Sequence, residues 1–365
     1  MTFSKALTPV TTCLIISSIC YIFTSCHKDN KPFPPTPKAD SPAVWTRITT
    51  LPQERITALE IIDGIIYAGS SSSGKIFIST DEGLHWKSSS VISPDIEIKA
   101  LAVFKNKIYV GAFHDNAVIL SNNDIYSSND DGNTWMNAGT GNEALSFTVW
   151  NNNLYCSSYD AAQGIFMLDT VTNKWIPFTN GLSSILGSRT TKIMTADDDL
   201  IAGTIDFFAA YDAKQQVWIQ KDYSIPQIRI SLFPNYVIDM MYDKPTLFVQ
   251  IYLGRKNQQT IIRTDDLGAT WRPDSAQLKV DTGNDDKYIM RGLLAGAGKY
   301  YVITNQEQGL TGAWIQQRDK HAPAGTTWAN GEQFLPGLHC YAIRELNKKL
   351  YLATDNGILT AHSHT

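Results

Sequence analysis

The 365-residue chain has no Cys-x-x-Cys, no His-Glu-x-x-His and no glycine-rich phosphate loop after a strand. Those absences set aside thiol-redox, zincin and P-loop chemistry. A basic excess is also missing: 31 Lys and Arg stand against 35 Asp and Glu, a net charge of -4. With no surplus of cations to displace counterions, a nucleic-acid binder held by phosphate contacts is excluded. No apolar run reaches the roughly 20 residues that a membrane span needs. Helix signals are scarce, the one weak candidate lying at 182–189. What is present is 43% hydrophobic residues with 9 Trp, 16 Tyr and 24 Gly, the composition of a globular, turn-rich β protein.

Residues 1–25 form an export address. Lys5 is the only charge there, and an apolar stretch from Cys13 to Phe23 follows it. The segment ends in Phe23-Thr24-Ser25-Cys26, which resembles a bacterial lipobox with Phe where Leu is usual. The resemblance implies lipidation of Cys26 and a membrane attachment through that lipid. His27, rather than Asp, follows the cysteine, a pattern that in similar Gram-negative lipoproteins goes with outer-membrane sorting. Residues 26–42 are then a tether, with Pro32, Pro34, Pro35, Pro37 and Pro42 favouring extended polyproline geometry. Loss of the address leaves Cys156 and Cys340, both in apolar strand-like segments and expected as buried free thiols.

Residues 43–365 carry an internal repeat. A short apolar strand centred on an aromatic or large aliphatic residue recurs at Tyr67, Tyr109, Tyr155, Ile201, Phe248, Tyr301 and Tyr351, in steps of 42, 46, 46, 47, 53 and 50. A second series interleaves: Trp45, Trp86, Trp135, Trp175, Trp218, Trp271 and Trp328. Both run near the period of a four-stranded propeller blade. The expected fold is an all-β, seven-bladed β-propeller, with six or eight blades as alternatives. Trp45 precedes the first anchor and no Trp follows Tyr351, so the strand around Val44–Ile48 is expected to complete the last blade and close the ring.

Three tryptophans end a Ser/Thr-x-Asp-x-Gly-x-x-Trp spacing: Ser79, Asp81, Gly83 and Trp86; Ser128, Asp130, Gly132 and Trp135; Thr264, Asp266, Gly268 and Trp271. This resembles the Asp-box, or BNR, repeat of sialidases, sortilin-type receptors and photosystem-assembly propellers. The aspartates are expected to hold turns, since a carboxylate accepts backbone N–H bonds there and Gly supplies positive φ. Sialidase activity does not carry over. Neither Arg47-Ile48-Thr49 nor Gln227-Ile228-Arg229-Ile230 matches the arginine motif of those enzymes.

In a propeller, ligands usually meet the face built by the second-to-third-strand loops and the connections between blades, opposite the Asp-box turns. Those loops are expected at 70–74, 112–123, 158–164, 204–208, 251–260, 304–312 and 355–357. They supply the candidate binding residues Phe113, His114, Asp115, Tyr159, Asp160, Asp206, Phe207, Tyr252, Arg255 and Glu307. Aromatic faces beside carboxylates suit sugars or a protein partner. His114 and Asp115 are adjacent and point to opposite faces of a strand, so they make a poor base and orienter. His362 and His364 have metal-compatible spacing but belong to a terminus. No catalytic residue, metal or cofactor is assigned, and a monomer is expected. The expected function is an envelope lipoprotein with a non-enzymatic binding propeller for a glycan or an envelope protein. The alternatives are a glycan hydrolase using the loop carboxylates Asp115, Asp160, Asp206 or Glu307, and an assembly factor for an envelope complex.

Overall fold

A computed structural model describes residues 44–114, 124–139, 144–158, 163–182, 189–205, 207–223, 235–253, 258–274, 288–296, 298–306, 312–322, 326–328 and 333–362. All of them fall in one compact unit, Asp40–Thr365. The export address and Cys26 lie outside the described residues, as does the proline tether.

Each repeat becomes one antiparallel four-stranded sheet, and the described residues form seven such sheets with no helix. The innermost strands are Ile56–Ile62, Ile96–Phe104, Ser146–Trp150, Thr190–Ala196, Asn235–Asp243, Tyr288–Ala295 and Cys340–Leu346, numbered here as blades 1 to 7. Each lies beside the innermost strand of the next blade, and that of blade 7 lies beside that of blade 1, so the ring is closed. Closure is made by the first strand of the chain. Thr46 faces Thr360 and Arg47 faces Leu359 on the outer side of blade 7, and the Ile48 N–H donates to Ile358 O at 2.9 Å. The seven-bladed propeller with a split last blade is therefore present as the repeat phase required. The strand Gly357–His362 is thereby paired on both sides, by Lys349–Thr354 and by Thr46–Arg47.

The repeat anchors occupy the second strand of every blade, and all seven are buried. Their aromatic rings fill the space between sheets, as Tyr109 does with its edge-to-face contact on Trp175 at 6.1 Å. Two positions after the anchor Tyr109, the residue type is a matter of clearance. A Cβ at Gly111 would sit 2.1 Å from Ala144 O of the next blade, so only glycine lets the two blades approach there. Cys156 and Cys340 are free and buried, and burial pushes both thiols up from their ordinary range.

An antiparallel meander puts the start of each innermost strand and the end of each second strand on one face, called upper here. The hairpins after the innermost strands and the three motif turns lie on the opposite face. Three upper loops begin later than the sequence suggests. The second strands run on through His114, Leu253 and Gln306, and residues 115–123, 254–257 and 307–311 lie outside the described residues. Pairing continues because these segments alternate as strands do: Tyr252, for example, stacks on Tyr236 of the neighbouring strand at 4.7 Å.

Candidate binding face and central channel

Six of the seven innermost strands share a register shift near their upper end, recorded at Ile56/Ala58, Ile98/Ala100, Thr190/Lys192, Val237/Asp239, Met290/Gly292 and Cys340/Ala342. Such a bulge leaves one residue out of the ladder and re-aims its neighbours. The consequence is a set of rings around the axis. Ten residues before each anchor stand Thr57, Lys99, Leu145, Thr191, Ile238, Arg291 and Tyr341; nine before stand Ala58, Ala100, Ser146, Lys192, Asp239, Gly292 and Ala342. Seven before stand Glu60, Ala102, Thr148, Met194, Met241, Leu294 and Arg344.

These rings enclose a central cavity of about 360 Å³ to which all seven blades contribute. Five residues of the middle ring are Ala, Ser or Gly, which keeps the axis open. The other two form an ion pair across blades 4 and 5, with Lys192 Nζ 2.8 Å from Asp239 Oδ1. Asp239 is also held by the N–H groups of Met240 at 3.0 Å and of Leu293, in blade 6, at 3.1 Å. A second pair joins blades 7 and 1. Arg344 donates to both Glu60 oxygens, from Nη2 at 2.6 Å and from Nε at 3.0 Å. Burial opposes the charge of Arg344, yet the Glu60 carboxylate, with Asp239 behind it, raises its pKa further above the ordinary value.

Above the cavity, the upper rim combines both charge signs with aromatic rings. Arg55 Nη2 lies 3.4 Å and Lys99 Nζ 2.9 Å from opposite oxygens of Glu97. The Arg55 guanidinium also sits over the Tyr341 ring at 5.6 Å, and the Lys99 ammonium over Phe113 at the same distance. Arg55 and Lys99 keep 46% and 36% of their side chains exposed, so the mosaic is presented to solvent.

Of the residues proposed from sequence, Phe113 stands in this rim, half-buried beneath Lys99. His114 ends the same strand, opposite Ile96. Tyr252 stacks on Tyr236 in blade 5, away from Phe113 in blade 2. Phe207 is half-buried, and its carbonyl accepts from the Thr204 hydroxyl at 2.9 Å and the Tyr223 hydroxyl at 3.1 Å. Asp115, Tyr159, Asp160, Asp206, Arg255 and Glu307 lie outside the described residues. Sequence reasoning missed Arg55, Glu60, Glu97, Lys99, Lys192, Asp239, Tyr341 and Arg344. The signal that finds most of them is a fixed offset from the repeat anchor, not a residue type.

The three motif turns are on the other face and share one geometry. The Ser128 hydroxyl donates to Asp130 Oδ1 at 2.8 Å and accepts the Gly132 N–H at 2.8 Å. Thr134 supplies its N–H at 2.9 Å and its hydroxyl at 2.7 Å to the same carboxylate. Ser79 and Thr264 repeat the pattern with Asp81 and Asp266. These donors hold each aspartate down to about 2, led by the His85 N–H for Asp81 and by the hydroxyls of Thr134 and Thr264 for Asp130 and Asp266. Among the described residues, no three His, Cys, Asp or Glu side chains gather as a metal site would need.

No protein-family model matches this chain, and no curated protein matches it by sequence. Solved structures do match it by shape. YCF48 bound to D1 peptide aligns with a TM-score of 0.57 at 12% identity, covering 89% of this chain and 98% of that one. Virginiamycin B lyase from Staphylococcus aureus aligns with a TM-score of 0.60 at 11% identity, covering 88% and 99%. The extracellular domain of BT4673 from B. thetaiotaomicron also aligns at 0.60, with 12% identity; 86% of this chain is covered but only 38% of that one. At such identities the likeness establishes architecture alone, and the architecture is a seven-bladed β-propeller.

Proposed function

We propose that this chain is an exported, lipid-anchored protein of the bacterial cell envelope whose propeller binds a protein partner through its upper rim. The observation that carries this reading is the rim itself. Arg55, Phe113 and Tyr341 belong to the residue types enriched at protein interfaces, and Glu97 and Lys99 set both charge signs beside them on a rigid ring. Binding is favoured over hydrolysis because the two carboxylates lining the cavity, Glu60 and Asp239, are each tied to a cation of a neighbouring blade. An acid–base pair for glycoside chemistry needs carboxyl groups free to exchange protons. YCF48, one of the structural neighbours, is itself described as bound to a peptide, which is compatible with a propeller face as a polypeptide receptor.

In this reading the sequence Phe23-Thr24-Ser25-Cys26 directs lipidation of Cys26, and the proline-rich residues 27–42 hold the propeller off an outer-membrane surface. Asp81, Asp130 and Asp266 serve as turn fasteners on the face away from the partner. Two experiments test the proposal. Cys26→Ser is expected to move the protein from membranes to the soluble fraction; retention of a signal-cleaved chain on membranes would count against the anchor. For the rim, the full chain is cross-linked in whole cells, and the partner is identified and titrated against wild type and the Arg55→Ala/Tyr341→Ala variant. Loss of that complex with an unchanged melting temperature supports the rim. Binding to a glycan array that depends on the same residues would reassign the partner class, and turnover of glycosides would overturn the binding reading.

A further inference from the structure

Glu60, Lys192, Asp239 and Arg344 satisfy one another, but not completely. Among the described residues Asp239 is the partner of the Lys192 ammonium, which has three donors and lines the cavity. Among the described residues, Arg344 uses three of its five N–H groups, two on Glu60 and one, from Nη1, on Ile343 O at 2.8 Å. The carboxylates keep capacity as well. Each Glu60 oxygen accepts one hydrogen bond, and Asp239 Oδ2 accepts one, from Leu293. All four side chains are between 15% and 34% exposed although they lie on the axis of the ring, because the small residues around them leave open space.

We propose that the central channel is a binding site for a small zwitterion of amino-acid or dipeptide size, below the rim that meets a macromolecule and sharing Lys99 and Tyr341 with it. A ligand carboxylate takes the spare N–H groups of Lys192 and Arg344, and a ligand ammonium takes the spare lone pairs of Glu60 and Asp239. The physical reason for a zwitterion is charge balance. The two ion pairs are neutral as they stand, and the third cation of the lining, Lys99, is paired with Glu97 at 2.9 Å, so a ligand with one net charge leaves an uncompensated charge in a partly desolvated cavity, which costs more than in water. A neutral polyol meets no such penalty but gives up the charge-assisted hydrogen bonds that the spare donors and acceptors offer. The cavity, about 360 Å³, falls in the size range of small-molecule sites. The wall from Ala58, Ala100 and Ala342 supplies the apolar side that a short aliphatic backbone needs.

The test is calorimetric titration of the full chain in detergent with four probes: glycylglycine, N-acetylglycine, glycinamide and glycerol. Glycylglycine is expected to bind at one site, with N-acetylglycine and glycinamide weaker by about tenfold or more and glycerol giving no heat. Lys192→Met combined with Asp239→Leu removes the pair without stranding a charge and is expected to weaken glycylglycine by about tenfold or more. Ala100→Leu narrows the channel without touching any charge and is expected to abolish binding, whereas Lys192→Arg retains it. The proposal is overturned if glycylglycine gives no heat, if either singly charged probe binds as tightly, or if binding survives both the double variant and Ala100→Leu. Should the double variant not fold, probe selectivity on the wild-type chain and Ala100→Leu decide alone.

Discussion

Arg318 of blade 6 stands opposite Tyr300, the register position that Ser79, Ser128 and Thr264 hold opposite Ile66, Ile108 and Leu247 in blades 1, 2 and 5. In those three blades a hydroxyl gathers a short turn, and the turn docks on the blade before it. Ser90 of blade 1 donates its N–H to Gly132 O at 2.9 Å, and Lys221 of blade 4 its ammonium to Leu267 O at 2.8 Å. Blade 6 reaches back to its predecessor differently. Arg318 forms a bidentate pair with Asp274 of blade 5, at 3.0 and 2.7 Å, and lies over the Trp328 ring at 4.4 Å. The Trp328 indole N–H then donates to Asp274 O at 2.7 Å. Both devices place a tryptophan and a tie at the joint between blades; Trp86 and Trp135 are half-buried, Trp271 and Trp328 buried. One is local, exposed and assembled within eight residues of chain, and the other is buried and joins residues 44 apart. A blade joint therefore fixes what must be tied, and leaves the chemistry free.

That contrast is broken most severely at the joint between blades 7 and 1, which depends on the N-terminal strand. Deleting residues 44–50 removes the outer strand of blade 7, the packing of Ile48 on Gly83 and the hydrogen bond from the Thr50 hydroxyl to Gly83 O. Gross unfolding or oligomerisation is expected by circular dichroism and light scattering, and an unchanged melting temperature would refute closure by that strand. Next in size is Arg318→Ala, which leaves Asp274 with the longer contact to Arg263 Nε, at 3.6 Å, in a site where Arg318 and Asp274 are both 8% exposed. Loss of about 3–5 kcal/mol is expected in chemical denaturation, with only part of it recovered in Arg318→Met/Asp274→Leu, which also removes the carboxylate beside Arg263. Ser128→Ala leaves the buried Gly132 N–H without its acceptor and is expected to cost about 1–3 kcal/mol. A smaller loss than Arg318→Ala would confirm the ranking of the two devices, and a larger one would reverse it.

The smallest expected effect is on acid stability. Asp81, Asp130 and Asp266 are depressed in the folded state to about 2, below the unfolded carboxylate value of about 3.9. Folding therefore favours their ionised form. Their contribution is present above pH ~4 and is lost as pH falls towards 2. The triple Asp→Asn variant is expected to show a flatter decline of melting temperature between pH 4 and pH 2 than wild type. An equal slope would show that other carboxylates carry the acid response.

The ring itself was legible in the sequence because each blade must bury one large residue at a fixed place. Tyr67, Tyr109, Tyr155 and their counterparts, with the tryptophan series out of phase, set blade number and the split closure together. The three motif turns were legible for a similar reason, since a hydroxyl, a carboxylate and a glycine at set spacing can only be read one way. Trp328 was counted correctly, but the Arg318–Asp274 pair that seats it was not foreseen, because nothing local links two residues in different blades. The channel was missed on different grounds. Ala58, Lys192, Asp239 and Gly292 share a ring position and no chemistry, so only their offset from the anchor reveals them. The ranges 112–123, 251–260 and 304–312 begin with strand rather than loop, because pairing through His114, Leu253 and Gln306 depends on neighbours that alternation alone does not identify.

The division between a binding rim and fastening turns is tested most directly by one titration. The affinity of the cross-linked partner, once identified, is measured for wild type, for Arg55→Ala/Tyr341→Ala and for the triple Asp81, Asp130 and Asp266→Asn variant at neutral pH. Affinity is expected to fall by about tenfold or more for the rim variant and to stay unchanged for the turn variant. Loss of binding with the turn variant, and none with the rim variant, would contradict the account.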